Sequence, residues 1–183
     1  ASEGMPEGFK YEWTASSFEE RQSGNMAPIA LALSMVFTYL FLAALYESFL
    51  TPLAVILSVP LAMIGALAGG LLAGEPLSLY GQIGLVLLVG LSAKTAILIV
   101  EVAKSMRETT EMSLQEATVG AATLRFRAVM MTGLSFLAGV SPLVVAQGAG
   151  AASRVSLGVA VFGGTVMSLI AGTLLVPIFF KLV

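Results

Sequence analysis

The sequence predicts an all-α membrane protein: five transmembrane helices behind a short polar lead-in. Three observations carry that prediction. Hydrophobic residues fill 57% of the 183 positions, and the mean hydropathy is +0.95. Charged residues make up only 11%, against roughly 25% in a soluble domain, so the chain lacks the polar side chains to cover a water-facing surface. Five apolar stretches are each long enough to cross about 30 Å of hydrocarbon, which takes roughly 20 helical residues.

The same composition excludes other classes. A net charge of −2 with scattered cations gives no electrostatic footprint for nucleic acid. Cysteine is absent, which removes a disulfide framework and a thiolate metal site. Histidine is absent too, and with it the commonest general base and metal ligand. No cofactor or catalytic site is expected. All 11 acids are glutamate. No basic stretch followed by an apolar core reads as a signal peptide at the start, and the chain reads as a piece of something longer.

In chain order, residues 1–25 are polar. Phe9 to Trp13 alternate apolar and polar, as a short strand does. Ser16 with Glu19, and Ser17 with Glu20, have capping-box spacing and predict a helix running toward the membrane. The bundle then occupies 26–183. Its spans are expected at about Ala27–Leu45, Pro52–Ala73, Gln82–Val102, Ala128–Ala146 and Val155–Phe179. Short connections fall at Tyr46–Thr51 and Gly74–Gly81.

The longer connection, Lys104–Arg127, resembles an amphipathic surface helix over about 111–124. Leu114, Ala117, Val119, Ala121 and Leu124 are its apolar side; Glu111, Gln115 and Glu116 are its polar side. The last link, Gln147–Arg154, is rich in Gly and Ala. Pro60, Pro142 and Pro177 fall inside spans, which membrane bundles tolerate when neighbours satisfy the freed carbonyl. Gly65 with Gly69, and Gly70 with Gly74, form small-residue faces for close helix packing.

Lys104, Arg107, Arg125, Arg127 and Lys181 lie on one side of this arrangement; Lys10, Arg21 and Arg154 lie on the other. The positive-inside rule then places the Lys104–Arg127 connection and the C-terminus in the cytoplasm and residues 1–25 outside.

One residue does not fit a purely structural span. Lys94 sits near the middle of the third, in "GLSAKTAILIVEVAK". A charge there costs on the order of 2.5–3.5 kcal/mol on insertion scales. The nearest polar boundary, Glu101, is about two turns or roughly 10 Å away, beyond easy reach of a lysine stem. Lys94 should therefore face the protein interior and pair with an acid. Glu101 is too distant, Glu47 lies at the interface, and no other span contains an acid, so the partner is expected outside this chain.

A carboxylate beside the lysine would be held ionised, and protonating it would free the lysine to swing to another partner. The alternative is a fixed ion pair holding two helices. Thr132, in "RFRAVMMTGLSF", is a candidate hydroxyl for the swing; otherwise it back-bonds to the carbonyl four residues earlier. Arg125 and Arg127 open the same helix, either as positive-inside residues or, for Arg125, as a bias on proton exit.

Four segments carry a family resemblance: "LAALYESF", "GLSAKTAILIVEVAK", "LRFRAVMMT" and "GVSPLVVAQGAG". In order and over nearly the whole chain, they resemble inner-membrane pumps of the resistance–nodulation–division superfamily. The match is closest to the multidrug efflux branch of Gram-negative bacteria. The resemblance implies the last five helices of a twelve-helix protomer, with residues 1–25 ending the second periplasmic porter region. It implies a homotrimeric drug/proton antiporter rather than an enzyme, with protons as coupling ion. The proton relay would comprise Lys94, Thr132 and Arg125, completed by an aspartate pair in the N-terminal half.

It further implies a periplasmic adaptor, an outer-membrane channel, hydrophobic or amphiphilic drugs as cargo, and a surrounding bilayer. Two departures are Thr95, where the family often has Asn, and Ala128, where it often has Pro. A lipid or hydrophobic-compound exporter, a protein-secretion motor subunit, or a scaffold without transport are the competing readings.

Overall fold

The computed structural model describes residues 26–75, 78–110, 113–175 and 178–179. Among them all regular structure is helical, and five helical segments are long and apolar enough to cross a membrane. The strand expected at Phe9–Trp13, the caps at Ser16 and Ser17, the porter tail at 1–25, and Lys10, Arg21, Glu111, Pro177 and Lys181 lie outside the described residues.

Helix α1 is Met26–Tyr46, within a residue of the first expected span. The second span, Thr51–Ala73, matches the expected Pro52–Ala73 within a residue, but it is not one uninterrupted helix. It divides into α2, Thr51–Ile56, and α3, Val59–Ala73. The cause is Pro60, which offers no N–H to the Ile56 carbonyl and crowds it with its ring. Pro60 therefore sits in the first turn of α3, where proline is tolerated, rather than inside a continuous span. Ser58 repairs the break. Its hydroxyl donates to the Val55 carbonyl at 2.6 Å and lies 3.2 Å from Ser92 Oγ. Both serines are buried, so the defect is tied to the third span, two residues before Lys94.

α3 ends in a Schellman motif. Gly74 adopts a left-handed φ of 69°, and the Glu75 N–H reaches the Gly70 carbonyl at 3.0 Å.

Helix α4 is Leu79–Thr110 and helix α5 is Leu114–Val144. Both overrun their expected spans. α4 continues through Lys104 and Arg107, where a cation near the C-terminus suits the helix dipole. The amphipathic helix expected over 111–124 and the fourth span form one rod, because no Gly or Pro interrupts the chain between Gly120 and Gly133. α5 starts at a capping box. Ser113 Oγ accepts from the Glu116 N–H at 3.3 Å, and Glu116 Oε2 accepts from the Ser113 N–H at 3.2 Å. Ala117, Thr118 and Ala121 are buried on its inner side, while Val119 and Leu124 stay exposed. Pro142 is inside α5, near its end.

Helix α6, Ala151–Leu174, is the hub and packs against α3, α4 and α5. Against α3 it approaches backbone to backbone. A Cβ on Gly163 would stand 2.6 Å from the Gly65 carbonyl oxygen and 3.1 Å from Gly69 Cα, so the small-residue face at Gly65 and Gly69 meets a second one on α6. Ser78 and Ser156 hydroxyls, 2.6 Å apart, tie the start of α4 to α6. α1 packs on α4 and leaves Ile29, Leu33, Phe37 and Phe41 exposed.

Candidate functional site

Lys94 is held in place by its neighbours. Ser92, Ala93 and Ala96 are buried on the packed side of α4, with the Ser58–Ser92 contact fixing the register there. Helical geometry then turns position 94 toward the flank, and within this chain Lys94 is exposed. It makes no ion pair or hydrogen bond with a described residue. Glu47 and Glu101 are both exposed, and neither lines the space around Lys94. Glu47 has a left-handed φ of 49° just past the end of α1.

Two recesses meet at Lys94. One, of about 440 Å³, lies between α1 and α4 and is apolar, walled by Phe37, Phe41, Gly90 and Ile97. The other, of about 70 Å³, lies among α4, α5 and α6. Thr95, Thr132, Phe136, Thr165 and Ser168 are on its walls. The lysine is the shared boundary of an oily groove and a small hydroxyl-bearing cavity.

The structure thus brings Lys94 and Thr132 to one cavity from two helices. Thr132 Oγ1 lies 2.9 Å from the Ala128 carbonyl and 3.1 Å from that of Val129, donating its proton back to its own helix. That bond uses the hydroxyl hydrogen only. The oxygen lone pairs remain able to accept from an ammonium group. Arg125 is exposed on α5, seven residues before Thr132 or roughly 10 Å along the helix, and it lines neither recess.

Sequence reasoning missed three residues near this region. Thr165 and Ser168 wall the Lys94 cavity. Their only signal in the chain is a pair of hydroxyls three apart in an apolar span, which many buried helices also show. Lys104 is more than a topology marker. Its Nζ donates to the Tyr46 carbonyl at 3.2 Å and stands 5.9 Å from the Tyr46 ring centroid. It therefore satisfies an orphan carbonyl at the C-terminus of α1 and ties α1 to α4.

Residues 1–183 match the AcrB/AcrD/AcrF family. The chain is 42% identical over 179 residues to the multidrug export protein AcrF of Escherichia coli, covering 98% of this chain and 17% of that protein. It is 45% identical over 176 residues to the toluene efflux pump membrane transporter TtgB of Pseudomonas putida, covering 96% of this chain and 17% of that protein. It is 43% identical over 179 residues to the multidrug resistance protein MdtF of Escherichia coli, again 98% of this chain and 17% of the relative. The chain spans about one sixth of the length of these relatives.

Proposed function

Because the chain belongs to the AcrB/AcrD/AcrF family, we propose that it is the C-terminal membrane part of a proton-driven multidrug efflux transporter of the resistance–nodulation–division superfamily. In this reading it sits in the inner membrane of a Gram-negative cell, with residues 1–25 periplasmic and the 104–127 connection cytoplasmic. The assembly is a homotrimer joined to a periplasmic adaptor and an outer-membrane channel.

The observation that carries the proposal is the shared cavity of Lys94 and Thr132, on a flank where no described acid reaches the lysine. An exposed lysine at mid-span cannot face lipid at acceptable cost. A further helix bearing a carboxylate pair is the partner that suits it. With the carboxylate ionised, Lys94 is held in the groove toward that helix. Protonating the carboxylate removes an attraction of roughly 4 kcal/mol at 4 Å and an effective dielectric of 20. That shifts a two-state equilibrium by about three orders of magnitude, enough to let Lys94 turn toward Thr132 Oγ1. Arg125, on the cytoplasmic side of Thr132 along α5, biases proton exit.

The test is Lys94→Ala in the intact transporter. Drug export by cells should fall to background while the amount of protein and its trimeric state are unchanged. Wild-type resistance with Lys94→Ala would remove the relay.

A further inference from the structure

Thr165 departs from a habit that five other helical threonines share. Thr95, Thr109, Thr123, Thr132 and Thr173 each donate their hydroxyl to the carbonyl four residues back, the ordinary way to satisfy a hydroxyl where water is excluded. Thr165 does not. It is 7% exposed, and its Oγ1 has no hydrogen-bond partner among the described residues. One turn on, Ser168 is 4% exposed and likewise makes no hydrogen bond with a described residue.

Both residues wall the cavity that Lys94 and Thr132 also wall. Buried hydroxyls are almost always paired, with protein or with ordered water. Cavities that stay dry are apolar, whereas this one has four hydroxyls on its walls, those of Thr95, Thr132, Thr165 and Ser168, and about 70 Å³, room for about two waters.

We propose that Thr165 and Ser168 hold water in the cavity beside Lys94, and that this water, together with Thr132 Oγ1, receives the lysine Nζ once its carboxylate is protonated. Thr165 is a positioning residue. Its hydroxyl holds the water, and the water, not Thr165, meets Lys94. The inference rests on the relay reading above and adds α6 to it.

Lys94 is the one titratable side chain lining this cavity among the described residues. Of the helices packed on α6, α3 carries no titratable residue. α4 carries Tyr80 at its start and Glu101, Lys104 and Arg107 farther along, and α5 carries Glu116, Arg125 and Arg127 toward its start. None of these lines the cavity.

Thr165→Val, which keeps the shape and deletes the hydroxyl, tests this in the intact transporter, with Thr165→Ser as the variant that keeps it. X-ray hydroxyl-radical labelling, which oxidises side chains beside trapped water, should mark Phe136 at least threefold less in Thr165→Val and at near wild-type level in Thr165→Ser. The pH profile of drug export from proteoliposomes should shift in Thr165→Val by about half a unit or more. Unchanged labelling and an unchanged pH profile would overturn the proposal. So would a lower melting temperature with both of those unchanged, which marks a packing role. If Thr165→Val does not assemble, Ser168→Ala is read by the same two criteria. Lys94→Ala run alongside separates the two claims. Export lost there with Thr165→Val like wild type removes only the water site, and export retained there removes the relay itself.

Discussion

Replacing Gly163 by alanine tests whether α3 and α6 are locked together backbone to backbone. The added Cβ would stand 2.6 Å from the Gly65 carbonyl oxygen, and ordinary contact begins at 3.4 Å. The two helices must therefore separate by about 0.8 Å, or the new methyl must stay compressed. Neither neighbour is a flexible side chain tip, since the second contact is Gly69 Cα at 3.1 Å. Overpacking of this kind costs roughly 1–3 kcal/mol, and that loss lowers the melting temperature.

Thermal unfolding of the purified intact transporter in detergent should thus show Gly163→Ala melting below wild type. Gly139→Ala is the control, because a Cβ there meets nothing within 4 Å and alanine is the better helix former. Equal melting of Gly163→Ala and Gly139→Ala would show that α3 and α6 are not in backbone contact at this point, and the hub role of α6 would fail with it.

Two further outcomes are expected. Lys104→Met keeps the aliphatic stem and deletes the donor to the Tyr46 carbonyl. A net loss of about 1 kcal/mol, seen as a lower melting temperature, is the expected result, and an unchanged melting temperature would remove Lys104 as a tie between α1 and α4. Thr132→Val should lower drug export several-fold while Thr132→Ser stays near wild type, measured as cellular drug accumulation. Full export by Thr132→Val would leave Thr132 with only its back-bond to Ala128.

Most of the architecture was legible because hydrocarbon imposes a length and a composition on any segment that crosses it. The first span came out within a residue at each end. The errors have local causes. Pro60 removes one N–H and splits the second span, a break that a window average over 20 residues does not register. The Ser113–Glu116 capping box was present in the sequence as S-x-x-E and marks where α5 begins. The continuity of α5 past Arg127 was harder to see, because polar composition signals the membrane boundary and not the end of a helix.

The site divides along the same line. That Lys94 needs a counter-charge followed from the sequence, since desolvating a cation is costly wherever the chain folds. Which wall Lys94 occupies, that Thr132 shares its cavity, and that Thr165 and Ser168 stand in that cavity were decided only by the tertiary structure. Hydropathy is a sum over neighbours in the chain. Whether a hydroxyl is paired depends instead on atoms brought near it from residues tens of positions away, and only the packing of α4, α5 and α6 determines those.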